Sequence, residues 1–188
     1  MDQTSPSLLE RLRQPAEQEA WARFVKLYTP FLYDWAHRLG LNEPDAADLV
    51  QDVFVVLVQK LPEFTYDQHR SFRSWLGTVL RNKWRDHQRQ RAVRALHARE
   101  PLGEDLAGPD ENAAFAEAEY RQHLVSRALR LMQAEFQPRT WQACWEHVVS
   151  GRPAAEVAAE LGLSVDAVYA AKSRVLRRLR QELQGLLD

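Results

Sequence analysis

Only one cysteine, Cys144, occurs in the 188 residues, so neither an intramolecular disulfide nor a thiolate zinc cluster can form within the chain. No stretch approaches about 18 uninterrupted apolar residues, and the N-terminus lacks a cationic start followed by an apolar run. The expectation is a cytoplasmic chain with no membrane insertion of its own. Alternating strand patterns bounded by turn residues are also missing. Net charge is nearly absent too, at −1, but that sum hides the layout of the charges.

The charges fall in blocks. Between Asn42 and Phe64 the acids Glu43, Asp45, Asp48, Asp52 and Glu63 face the single base Lys60. From His69 to Arg99 the bases Arg70, Arg73, Arg81, Lys83, Arg85, Arg89, Arg91, Arg94 and Arg99 are opposed only by Asp86. Residues 100–115 are acidic without a base, and Lys172, Arg174, Arg177, Arg178 and Arg180 follow one another without an acid. Two basic blocks in an otherwise balanced chain point to nucleic acid.

Helical spacing dominates, which predicts an all-α fold. Ser7 and Glu10 have capping-box spacing, and Trp21, Phe24, Tyr28, Phe31, Trp35 and Leu39 recur every three or four residues up to Gly40. Pro30 inside that run predicts a kink or two abutting helices. Asn42 to Leu61 starts with Pro44 and first-turn acids; its Val53 to Val58 centre resembles a buried strand, but length and caps favour a helix that Pro62 stops. From Ser71, the spacing of Phe72, Trp75, Leu76, Val79, Leu80 and Trp84 continues into an arginine-rich tail. Two small helical domains, 1–98 and 117–188, are expected to be joined by an acidic flexible linker, 99–116, whose Pro- and Gly-containing run has no face to bury.

In the second domain Ala158, Gly162 and Leu163 have the spacing of a helix-turn-helix: a small residue at the crossing, a glycine turn and an apolar plug. Ser164 caps the second helix, with Val157, Leu161, Val168 and Ala171 inward. An incidental helical hairpin is the plainer alternative, and the basic continuation to Arg180 argues against it. In the first domain, bases interleaved with Tyr66, Phe72, Trp75 and Trp84 suit melting DNA, since cations track phosphates and rings stack on unpaired bases. Phe72, Trp75 and Leu76 also have core spacing, so each aromatic taken alone is better explained by packing.

At these motifs the chain resembles the sigma factors of the extracytoplasmic-function (ECF) group, which retain regions 2 and 4. Asp45-Ala-Ala-Asp-Leu-Val-Gln-Asp-Val-Phe54 is similar to the family's polymerase-binding helix. Phe72-Arg-Ser-Trp-Leu76 with Asn82, Asp86 and the following arginines resembles the segment that reads and opens the minus-10 element. Gly162 to Arg180 resembles the reader of the minus-35 element. The similarity spans about Ala20 to Arg91 and Leu124 to Leu183; Ala47 stands where the family often has an acid, and Tyr169-Ala-Ala-Lys172 replaces a more polar run.

The resemblance implies a transcription initiation factor with core RNA polymerase and promoter DNA as partners, held by an anti-sigma factor. Control would come from outside the chain. It assigns polymerase binding to Asp45, Asp48, Gln51 and Asp52, and minus-10 binding to Tyr66, Arg70, Arg73, Arg81, Asn82, Arg85 and Arg89. Minus-35 binding falls to Ser164, Asp166, Tyr169, Ala170, Lys172, Ser173, Arg174, Arg177, Arg178 and Arg180. Within that set, periodicity from the inward Val168 gives base contacts to Tyr169, Ala170, Ser173 and Arg174, and phosphate contacts to Lys172, Arg177, Arg178 and Arg180. No catalytic residue, metal or cofactor is expected.

Two other readings compete. A conventional helix-turn-helix regulator leaves the acidic helix and the aromatic-basic block without a role. A nuclease could hold Mg²⁺ on Asp45, Asp48 and Asp52, but those acids begin a helix whose dipole explains them, and no His or basic residue adjoins them in the sequence.

Overall fold

The computed structural model describes residues 7–14, 16–64, 71–98 and 117–187, with side chains described up to residue 93 in the helix that ends at residue 98. Among these residues there is no strand. The elements are α1 (Leu8–Leu12), α2 (Gln18–Arg38), α3 (Glu43–Lys60), a 3-10 turn (Leu61–Glu63), α4 (Phe72–Ala98), α5 (Glu117–Met132), a second 3-10 turn (Gln133–Glu135), α6 (Pro138–Val148), α7 (Ala154–Leu161) and α8 (Val165–Leu183). No helix among the described residues is long and apolar enough to cross a membrane. The acidic linker lies outside them.

Local chemistry accounts for the helix ends. Ser7 and Glu10 form the reciprocal capping box of α1. The Asn42 side chain accepts from the Asp45 N–H at 2.9 Å, and Ser164 accepts from the Ala167 N–H at 3.1 Å, so each satisfies an amide that a first turn leaves free. Pro30 neither splits α2 nor ends it: the helix runs through to Arg38. Proline has no N–H to give the Lys26 carbonyl four residues back. Arg127 of α5 supplies the missing donor, its Nε 3.0 Å from that carbonyl oxygen.

Phe24, Leu27, Tyr28, Phe31, Leu32 and Trp35 form the buried face of α2 and meet Leu49, Val53 and Leu57 of α3 and Phe72, Leu76 and Leu80 of α4. Phe72 sits edge-on to both Phe24 and Tyr28, with ring centroids 6.0 and 5.8 Å apart, the favoured geometry for aromatic quadrupoles. This core does not stop at the linker. Tyr120, Leu124, Ala128 and Met132 of α5, and Leu183 and Leu186 at the end of α8, belong to the same buried cluster as Leu8, Leu9 and Leu12. Described residues from both 1–98 and 117–188 therefore share one buried cluster. A second, smaller cluster of Ala143, Ala154, Val157, Ala158, Val168 and Ala171 holds α6, α7 and the start of α8 together.

Candidate nucleic-acid interface

The acidic helix α3 turns Leu49, Val50, Val53 and Leu57 into the core. Its acids are not equivalent. Asp45 lies 3.7 Å from Arg91, and Asp52 lies 3.4 Å from His87 Nε2 and 4.0 Å from Lys83, all on α4. The sequence showed no basic or His neighbour for these acids, and the fold corrects that by laying α4 alongside. Asp48 and Gln51 are exposed and have no polar partner among the described residues. Val55 and Val58, 54% and 53% exposed, continue the same stripe at spacings of four and three residues. Sequence reasoning missed them, because a run of valines inside a core helix looks uniformly buried. The exposed face of α3 thus passes from a carboxylate to an apolar end, an arrangement that suits a protein partner. No group of acids, His or Cys among the described residues could hold a metal ion.

Along α4, Asn82, Arg85 and Arg89 are exposed, with Arg89 3.7 Å from Asp86. Arg81 is half-buried and donates to Thr78 Oγ1 at 3.3 Å; Arg73 is half-buried at the start of the helix. Tyr66 and Arg70 lie outside the described residues. The aromatics of this helix pack inward. Phe72 is fully buried, Trp75 leans on Phe64 and Phe72 with centroids 4.9 and 5.6 Å away, and half-buried Trp84 packs against the main core. The outer face of α4 is consequently cationic, not aromatic.

The turn before α8 places Gly162 at φ 64°, ψ 40°, a left-handed conformation that glycine adopts without steric cost. The Leu163 N–H closes the turn onto the Ala158 carbonyl at 2.9 Å, and Leu163 packs on the small cluster. Along α8, Val168, Ala171 and Val175 are buried, whereas Asp166, Tyr169, Ala170, Ser173, Arg174, Arg177 and Arg180 are exposed. Tyr169 stands edge-on to His147 at 5.5 Å. Lys172 is half-buried near Cys144; burial raises that thiol's pKa and the ammonium opposes the rise.

Arg178 does not project like its neighbours. It donates to Glu135 at 3.0 Å and to Glu182 at 2.7 Å, and both glutamates also pair with Arg23 of α2, at 2.8 and 2.6 Å. Glu182 is only 3% exposed. Burial alone would lower the pKa of Arg178; the bonds to Glu182 and Glu135 outweigh that and raise it. Arg178, for which the periodicity expects a phosphate contact, is thus held in a four-residue ion-pair ring with Glu135, Glu182 and Arg23. A cleft of about 1150 Å³ between α5 and α6 is lined by apolar Leu129, Phe136, Trp141 and Trp145 and by polar Ser126 and Glu135.

Residues 24–94 match the family model for Sigma-70 region 2. The chain is 36% identical over 176 residues to the RNA polymerase sigma factor CnrH of Cupriavidus metallidurans, covering 91% of this chain and 88% of the relative. It is 31% identical over 194 residues to the RNA polymerase sigma factor NccH of Alcaligenes xylosoxydans xylosoxydans, covering 98% and 97%. With the ECF RNA polymerase sigma factor BldN of Streptomyces coelicolor the identity is 25% over 176 residues, covering 94% and 64%. An all-helical frame with outward-facing acidic and basic surfaces, together with these likenesses, places the chain in the ECF group of RNA polymerase sigma factors, a family of non-enzymatic transcription initiation factors.

Proposed function

We propose that the protein works in the cytoplasm, binding core RNA polymerase through the outer face of α3 and directing it to promoters through α4 and α8. The observation that carries this reading is that three chemically different faces, on three helices in the family's order, point away from the core. Asp48 and Gln51, extended by Val55 and Val58, form the polymerase surface. Asp45 and Asp52, already paired with α4, hold that surface in place. Asn82, Arg85 and Arg89, with half-buried Arg73 and Arg81 earlier on α4 and Tyr66 and Arg70 before it in the sequence, meet the minus-10 element and assist melting. Asp166, Tyr169, Ala170, Lys172, Ser173, Arg174, Arg177 and Arg180 of α8 meet the minus-35 element, with Ser164 capping this recognition helix and Arg178 reaching phosphate only beside its glutamates. An anti-sigma factor is the expected restraint.

The test mixes the protein with core polymerase, sequences transcripts from genomic DNA, and repeats the assay with Asp48→Lys. This change reverses the free carboxylate without touching the α3–α4 pairs. Core affinity should fall about tenfold, or about 1.4 kcal/mol, with helicity unchanged. Unchanged affinity would remove α3 from the polymerase contact. A promoter footprint by the protein alone, equal to that with core polymerase, would favour the conventional regulator instead.

A further inference from the structure

Helix α8 does not hold all of its outer face by itself. Tyr169, 49% exposed on its second turn, makes no hydrogen bond among the described residues, so nothing on its own helix fixes the rotamer of the ring. The ring beside it belongs to His147, in the last turn of α6, with centroids 5.5 Å apart and planes at 82°, the edge-on arrangement that aromatic pairs favour. His147 is itself anchored. Its Nδ1 lies 2.9 Å from the Arg152 carbonyl oxygen; a carbonyl only accepts, so Nδ1 carries the proton and the bond sets the plane of the ring. Arg152 is in turn tied to the helices on either side of it. Its N–H donates to the Glu146 carbonyl at 3.1 Å, and its guanidinium donates to the Glu146 and Glu160 carboxylates at 3.4 and 2.6 Å. Exposed ion pairs of this kind add little stability one by one, so what the brace supplies is placement.

We infer that His147 is a positioning residue for minus-35 recognition: braced by Arg152, it fixes the Tyr169 ring, so that preference at one base pair depends on a side chain outside α7 and α8. The inference rests on the initiation-factor reading and on the base contact which that reading gives Tyr169. His147 itself touches no base. A ring already held in place loses less freedom when it meets a base edge, a difference equivalent to about twofold to tenfold in affinity for one side chain. Because the gain is realised only where the ring meets its matching base, it appears as preference at that pair and not as general affinity for DNA.

A double-substitution cycle tests it, read by selection from a minus-35 library with full-length protein and core polymerase. Tyr169→Ala identifies the base pair that Tyr169 sets. His147→Ala should reduce preference at that same pair by about twofold to tenfold, leave the other pairs alone, and add nothing once Tyr169→Ala is present. His147→Phe keeps a ring at that place and should recover most of the loss, with circular dichroism confirming native helicity in each variant. No change, a loss spread over all pairs, full additivity in the double variant, or no recovery by His147→Phe overturns the positioning role. A uniform fall in affinity, with the salt dependence flattened by about one unit of slope, also overturns it and makes His147 a phosphate contact. If Tyr169→Ala leaves every preference intact while the unaltered holoenzyme still selects a promoter, this inference fails and the initiation-factor reading stands. If the unaltered holoenzyme selects no promoter, that reading fails and the inference with it.

Discussion

A single proton decides how the two buried tyrosines differ. Because Tyr120 gives its proton to Leu186 and receives that of Tyr28, Tyr120→Phe strands both a buried donor and a buried carbonyl, whereas Tyr28→Phe leaves only an unused lone pair. Tyr120→Phe should cost about 1–3 kcal/mol in urea denaturation and Tyr28→Phe measurably less; equal losses would mean that the relay runs the other way. The arginines of α8 divide on the same principle of prior commitment. Arg174 and Arg180 are exposed, while Arg178 is held by two glutamates. Arg174→Ala should cost about 1–3 kcal/mol and relax preference at one minus-35 base pair. Arg180→Ala should weaken all sequences alike and flatten the salt dependence by about one unit of slope. Selection of a minus-35 library with each variant holoenzyme separates the two, and a changed preferred sequence for Arg180→Ala alone would mean the helix sits in the groove with the wrong end forward.

At the scale of elements, the turn between α7 and α8 sets the angle at which α8 leaves α7. An added Cβ at Gly162 meets nothing within 4 Å, so any cost of substitution there comes from the left-handed backbone and not from crowding. Gly162→Ala should therefore destabilise the protein by about 1–2 kcal/mol, and Gly162→Asn, which tolerates that conformation, by less. Thermal denaturation of the full chain would show the order; equal losses from the two would indicate crowding instead. Helix α2 follows a different logic. Its proline survives because an arginine distant in sequence fills the hydrogen bond that proline cannot make.

For the molecule as a whole, the shared core couples segments on either side of the linker. Leu124 of α5 is fully buried in the cluster that α2 dominates. Leu124→Ala should cost about 2–5 kcal/mol, and hydrogen exchange should quicken in α2 as well as in α5. Faster exchange confined to α5 would show that the two segments are stabilised separately.

The helices, their caps, the glycine turn and the inward face of α8 were legible in the sequence, because each depends on residues within about one turn of one another. So were the charge blocks, and with the motif order they led to the ECF group. Only the tertiary structure decided which charges remain available. It committed Asp45 and Asp52 to α4, drew Arg178 into a ring with Arg23, left Val55 and Val58 outside, and joined α5 to α2. Those pairings link residues such as Arg23 and Glu182, 159 positions apart, and local periodicity places no constraint on partners at that distance.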